Sequence, residues 1–108
     1  MVRTQPAFVV LGSTLSTTFI SFPTTATPTA VTGSPSGAVW TDGNLAGQAT
    51  AMGVTVTITA VTGKTGEWQV QIVCTEGNGF AANTHYHVRI TYVISGTTYP
   101  QFIDLHVG

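Results

Sequence analysis

Residues 53–74 read GVTVTITAVTGKTGEWQVQIVC, and they alternate apolar with polar side chains in two runs. A period of two is typical of a β-strand, because successive side chains leave the strand on opposite faces. The Gly-bearing break at residues 62–66 separates the runs, so the stretch predicts two strands joined by a tight turn. We expect a Thr/Gln face on the outside and a buried face made of Val54, Val56, Ile58, Trp68, Val70, Ile72 and Cys74.

The same alternation recurs on both sides of this hairpin. Residues 85–94 place Tyr86, Val88, Ile90 and Tyr92 on one face, and residues 99–107 place Ile103, Leu105 and Val107 inward. Further strands are predicted at residues 17–22, closed by Pro23, and at residues 37–41. Asp42-Gly43 and Ser95-Gly96 predict turns, while Phe80 is predicted to close one open end of the fold. Residues 24–35 are predicted to be mostly loop, with a short strand around Val31, and residues 44–51 fit either a strand or a loop.

About seven short strands with turns between them and no helical periodicity predict an all-β protein. An antiparallel β-sandwich of immunoglobulin type fits best, and a jelly roll or an open barrel is the alternative. We expect residues 1–11 to form an N-terminal arm and residues 12–108 to form a single sandwich domain. Within the arm, the apolar run Phe8–Leu11 fits either an edge strand or a segment laid on a neighbour.

Charge is scarce in this sequence. Charged residues make up 6% of the 108 residues and the formal net charge is −1, whereas roughly a quarter of a typical soluble domain is charged. Such a surface suits a protein that works inside an assembly, although hydroxyl groups could also keep a small free domain soluble. With Arg3, Lys64 and Arg89 as the only Lys or Arg residues, nucleic acid is not an expected partner.

No membrane span or secretory signal is expected. The apolar run in the first twenty residues is short and broken by Gly and Ser, and no stretch reaches the ~18 apolar residues of a spanning helix. We therefore expect the protein to be made in a cytoplasm.

The residues that could carry chemistry are dispersed. Cys74 is the only cysteine, so no internal disulfide can form, and we expect a buried thiol. The carboxylates Asp42, Glu67, Glu76 and Asp104 form no recognisable catalytic pair, and TGKTG at residues 62–66 fits a turn rather than a phosphate loop. We expect no enzymatic activity and no cofactor.

The three histidines, His85, His87 and His106, are candidate metal ligands. His85 and His87 share a strand face, but nothing in the spacing places His106 beside them, so we expect surface histidines and no metal. The aromatic residues offer a rival interpretation as a sugar-binding platform, although most stand at alternating positions that core packing explains. They are Trp40, Trp68, Phe19, Phe22, Tyr86, Tyr92, Tyr99 and Phe102.

The order of several motifs resembles a family of small structural proteins of tailed bacteriophages. The motifs are TTFISF at residues 17–22, GSPSGAVWTDGN at 33–44, GVTVTITAVTGKTGEWQVQI at 53–72 and GFAANTHYHVRI at 79–90. The sequence departs from the family pattern in the Thr/Pro-rich residues 24–32 and at Ala81–Asn83.

The resemblance implies a virion component with an immunoglobulin-like sandwich, made in the host cytoplasm. Within that class we favour a capsid decoration or cement protein that binds the major capsid protein or other virion proteins, as a homo-oligomer on the particle. On this hypothesis Phe8, Val9 and Val10, with the edges of the sandwich, are the expected contacts. A tail, neck or baseplate module is the alternative, followed by an adhesion module that binds host glycans.

Overall fold

The computed structural model describes residues 3–21, 28–41 and 51–108, and these ranges contain seven strands and one short 3-10 turn, Glu76–Asn78. The all-β prediction is confirmed. None of the helical structure in these ranges is long and apolar enough to cross a membrane. The strands are β1 (Arg3–Val9), β2 (Thr14–Ile20), β3 (Ser36–Thr41), β4 (Thr57–Ala60), β5 (Glu67–Val73), β6 (Thr84–Ile94) and β7 (Thr97–Val107).

The strands form two sheets. The larger sheet has the order β1-β7-β6-β3, and the smaller has the order β2-β5-β4. This order matches that of the immunoglobulin fold. Strands β3, β6 and β7 correspond to its strands C, F and G, and strands β2, β5 and β4 correspond to its strands B, E and D. Every pairing is antiparallel except that of β1 with β7. The predicted sandwich is therefore confirmed. The described strands form two separate open sheets, so the alternative of an open barrel is wrong.

The core lies between the sheets, where the inward positions of the predicted hairpin contribute strongly. Ile58 on β4 pairs with Val70 on β5. Val70, Ile72 and Cys74 are fully buried, which stabilises the fold by roughly 1.5–3 kcal/mol for each large apolar side chain. The remaining predicted members are partly buried and pack against the same core: Val54, Val56, Ile58 and Trp68.

A two-residue turn fixes how β6 and β7 pair. Ser95 and Gly96 both have positive φ, 51° and 82°, the conformation that a type I′ turn needs and that matches the twist of the flanking strands. Ile94 consequently pairs with Thr97, and the ladder continues without a break to Thr84 and Val107. The turn thus sets the position of every side chain on the two longest strands.

The N-terminal segment differs from the prediction. Residues 1–11 are predicted to form an arm ahead of the sandwich, with Phe8–Leu11 as an edge strand or a segment laid on a neighbour, whereas Arg3–Val9 form the edge strand of the larger sheet, parallel to β7. The Gln5 side chain turns inward, where its amide donates to the backbone oxygen of Thr18 (3.0 Å) and its oxygen accepts from the Gln101 amide (3.0 Å). These bonds join β1 to both sheets. Pro6 is tolerated because β1 lies at an edge.

Tyr86 anchors the connection between β5 and β6. Its hydroxyl accepts a hydrogen bond from the backbone N–H of Ala81 at 2.8 Å, the arrangement called a tyrosine corner in immunoglobulin-like domains. Phe80 is buried and packs edge-on against the Tyr86 ring, with centroids 4.9 Å apart.

Other local predictions have mixed outcomes. Residues 28–35 contain no strand, so the short strand predicted around Val31 is wrong. Two further predictions, the Asp42-Gly43 turn and the choice between strand and loop at 44–50, lie outside the described residues, as does Phe22.

Candidate binding surface

The exterior of the larger sheet gathers most of the chemically distinctive side chains, and we call it the outer face. Its members follow from strand alternation and register, with Val9, Val88, Ile103 and Val39 facing the core. All three histidines of the chain belong to it. The outer face comprises Thr4, Pro6 and Phe8 on β1, Pro100, Phe102, Asp104 and His106 on β7, His85, His87, Arg89 and Thr91 on β6, and Ser36, Ala38 and Trp40 on β3.

His85 and His106 stand side by side on this face. They are direct partners in the β6–β7 ladder, and their rings lie 4.3 Å apart, centroid to centroid, with a tilt of 43°. The spacing of the histidines alone gives no reason to place His106 beside His85, and the pairing of β6 with β7 does so. The sequence did contain the signal: with a two-residue turn at Ser95-Gly96, a residue nine positions before Ile94 must meet one nine positions after Thr97.

Asp104 completes this group. It pairs with His87 in the ladder, and its Oδ1 lies 4.0 Å from Nδ1 of His85. Both the His85 and the Asp104 side chains are about half exposed, so solvent reaches the group.

The predicted contact residues divide between surface and core. Phe8 is 64% exposed and Val10 is 59% exposed, whereas Val9 is 7% exposed and belongs to the core. Val9 therefore cannot serve as a contact residue while the strand is in place. The Phe8 ring stands edge-on to His106 at 5.3 Å, and together with Pro6, Ala7, His85 and Asp104 these two residues line a shallow groove.

Arg89 lies elsewhere on the outer face, over the ring of Trp40, with its guanidinium carbon 5.0 Å from the ring centroid. Trp40 is buried. This cation–π contact holds the Arg89 charge close to the protein surface. Lys64, on the turn between β4 and β5, lies 3.7 Å from the carboxylate of Glu67.

The aromatic residues do not form an exposed platform within the described part of the chain. Phe19, Tyr86 and Tyr92 are buried in the core. Tyr99 stacks on Tyr92 with centroids 5.9 Å apart, and the Trp68 indole donates a hydrogen bond to Ser21. Core packing and internal hydrogen bonds therefore account for these rings.

The exterior of the smaller sheet is mainly a hydroxyl and amide surface, as predicted for the Thr/Gln face, with Glu67 and the exposed apolar side chains of Ile20 and Val73 at its ends. The Gln69 amide donates to the Ser16 hydroxyl at 3.1 Å. Exposed members include Thr14, Ser16, Thr18, Thr57, Thr59 and Gln71. Nothing on this face points to a charged ligand.

The arrangement offers little for catalysis among the residues that the structure places. No three His, Cys, Asp or Glu side chains in the described ranges converge to hold a metal ion. Burial raises the pKa of the Cys74 thiol, because removal from water disfavours the thiolate. TGKTG joins β4 to β5, strand to strand, as predicted.

Comparison with known proteins adds no relative. No protein-family model matches the chain, and no curated protein matches it. The resemblance to bacteriophage structural proteins therefore stays a prediction.

Proposed function

We propose that this protein is a bacteriophage virion structural protein of the capsid decoration or cement type. The observation that carries the proposal is the edge strand β1 with two exposed apolar side chains, Phe8 on the strand and Val10 directly after it, in a chain with very little charge. The order of sequence motifs that resembles the phage family supports the same assignment.

The edge of β1 suits attachment to a neighbouring subunit. An edge strand presents backbone N–H and C=O groups that can pair with another chain. Burying Phe8 and Val10 at such a contact contributes at most roughly 1.5–3 kcal/mol for each side chain. A single contact of this kind is weak. Many copies seated on a shell, or an oligomer with several seats, would make weak contacts add up.

The proposed partners are the major capsid protein, other virion proteins and further copies of this chain. Nucleic acid is not proposed, because the Lys64 charge lies beside Glu67 and the Arg89 charge lies over Trp40. Binding to phosphates requires several available cations. No enzymatic role and no cofactor are proposed.

The sequence also allows two other functions. A tail, neck or baseplate module would use the same edge strand against a different partner. An adhesion module for host glycans would use the aromatic and polar groove beside Phe8, since sugar rings stack on exposed aromatic side chains.

The test uses fluorescently labelled protein and purified virions separated into heads and tails. We expect saturable binding to heads, and binding confined to tails would overturn the capsid assignment. Binding of the isolated protein to a glycan array, with none to particles, would favour adhesion. Point substitutions are preferable to deletion of residues 1–11, because that deletion removes a strand of the larger sheet.

A matched pair of variants isolates the contribution of β1. Phe8→Ser combined with Val10→Ser should weaken binding to heads at least tenfold, the effect of losing about 1.4 kcal/mol. Val73→Ser is the control, since Val73 is also exposed, at 47%, but lies on the smaller sheet. Equal binding by both variants would exclude the β1 edge as the contact.

A further inference from the structure

We propose that His85 and His106 form a binding site for a divalent transition-metal ion such as Zn²⁺ or Ni²⁺. This site is independent of the proposed virion role. It rests on the cross-strand placement of the two imidazoles, which the turn at Ser95-Gly96 fixes.

The distance between the rings suits a shared ion. Bonds from a metal ion to imidazole nitrogen are about 2.0–2.1 Å long. Two imidazoles that occupy neighbouring positions on one ion must therefore have their rings a few ångströms apart. The His85 and His106 rings, with centroids 4.3 Å apart and tilted by 43°, meet this condition.

The surroundings of the pair favour a cation. The Asp104 carboxylate lies 4.0 Å from Nδ1 of His85. Its negative charge offsets that of an ion bound beside it. The permanent cation on β6 is Arg89, two residues beyond His87 on the same face. Its guanidinium lies over the Trp40 ring.

The site is open and is held in place on one side. His85 is about half exposed, so an ion can enter from solvent. The edge of the Phe8 ring packs against His106 at 5.3 Å and limits the movement of that imidazole. No set of three His, Cys, Asp or Glu side chains in the described ranges is placed so that all three could hold one ion. Water would therefore occupy the coordination positions that the two imidazoles leave.

The ligand chemistry restricts the choice of ion. Imidazole nitrogen suits Zn²⁺, Ni²⁺ and Cu²⁺, whereas Mg²⁺ and Ca²⁺ prefer oxygen ligands. The two imidazoles are neighbours only when β6 and β7 are paired, so the ion binds the folded chain and not the unfolded one. Such binding shifts the unfolding equilibrium and raises the melting temperature.

The experiment is a calorimetric titration of the full chain with Ni²⁺ and with Zn²⁺ at about pH 7.5, where an ordinary imidazole is neutral. We expect saturation at one ion per chain and a melting temperature that rises with metal concentration. Mg²⁺ should give neither effect. A dissociation constant of about 1 mM marks a very weak complex. If neither Ni²⁺ nor Zn²⁺ shows saturable binding at metal concentrations up to about 1 mM, the proposal is wrong.

Three variants distinguish this pair from other histidine arrangements. His85→Gln and His106→Gln should each weaken binding at least tenfold, while His87→Gln should stay within about twofold of the parent. Loss in His87→Gln equal to that in His85→Gln would place the ion along β6 and contradict the cross-strand site. Melting curves in EDTA confirm that each variant is folded, since all three side chains lie on the outer face.

Discussion

The indole N–H of Trp68 donates a hydrogen bond to the hydroxyl of Ser21 at 3.1 Å, and Ser21 is fully buried. The backbone of Ser21 extends the connection, because its N–H donates to Gly66 and its carbonyl accepts from the N–H of Thr29. One small residue after β2 therefore ties together the residues near Thr29 and the turn between β4 and β5.

Replacing Ser21 with Ala should destabilise the protein by about 1–3 kcal/mol, because the partly buried Trp68 indole loses its acceptor at a fully buried position. Urea denaturation followed by Trp fluorescence measures the change. Ser16→Ala is the control, because Ser16 also accepts a side-chain hydrogen bond, from Gln69, but is exposed. That control should stay within about 0.5 kcal/mol of the parent, and similar losses in both variants would contradict the role of burial.

Gly66 and Gly63 provide a matched comparison of backbone strain and close packing. Both have positive φ, 80° and 78°, so Ala at either position costs about 1–2 kcal/mol in conformational strain. At Gly66 a Cβ would also lie 2.6 Å from the backbone nitrogen of Thr29, whereas at Gly63 nothing lies within 4 Å. Thermal or urea unfolding should therefore show a clearly larger loss for Gly66→Ala than for Gly63→Ala. Equal losses would mean that the contact with Thr29 is relieved at no cost.

Tyr86→Phe removes the acceptor for the Ala81 N–H while leaving the ring to pack against Phe80. We expect a loss of about 1–2 kcal/mol in the free energy of unfolding. Hydrogen exchange at the Ala81 amide should accelerate at the same time. Tyr99→Phe keeps its stacking on Tyr92 and serves as the comparison; an Ala81 amide that exchanges as slowly in Tyr86→Phe as in the parent would count against the tyrosine corner.

Adjacent residues on β1 should respond differently to truncation. Val9→Ala, at a core position, should destabilise the fold by about 2 kcal/mol. Phe8→Ala should change stability by less than about 1 kcal/mol, because most of the ring is already exposed. Denaturation of the two variants makes the comparison, and a greater loss for Phe8→Ala would mean that the ring contributes more to the fold than its exposure indicates.

Cys74 should make stability depend on alkaline pH. Because burial raises the pKa of its thiol in the folded state, the unfolded chain loses this proton first as pH rises. The contribution of the protonated thiol is therefore complete below the unfolded pKa of about 8.5 and declines above it. Urea midpoints measured from about pH 7 to pH 10 should fall more steeply for the parent than for Cys74→Val. Parallel pH curves would show that the thiol ionises equally in both states.

The parts of the fold that sequence predicted are those with a local signal. Alternation in the β4–β5 hairpin and in β6 is visible within a few residues, because each strand alone imposes the period of two. The sandwich followed from the number and spacing of such strands. The choice among loop conformations around Val31 had no comparable local pattern.

The N-terminal strand and the candidate surface needed pairing information. Phe8, Val9 and Val10 are all apolar, so alternation alone cannot tell which of them faces the core; the parallel register with β7 decides it. Gln5 is a polar residue at an inward position, so β1 also lacks the regular alternation of apolar and polar residues that predicts a strand. The proximity of His85 and His106 depends on the strand register that the two-residue turn at Ser95-Gly96 sets, which is a property of the pairing and not of either strand alone.

The parallel pairing of β1 with β7 joins the two most distant parts of the described sequence, with Arg3 opposite Gln101. Contacts between positions so far apart incur a large entropic cost of loop closure and form slowly. We therefore expect β1 to dock after the remainder of the larger sheet and to detach before it, so that its amides exchange faster than those of β6 and β7. A strand held in this way is also the one most readily exchanged between neighbouring copies, and uniform exchange protection across the larger sheet would exclude that route to assembly.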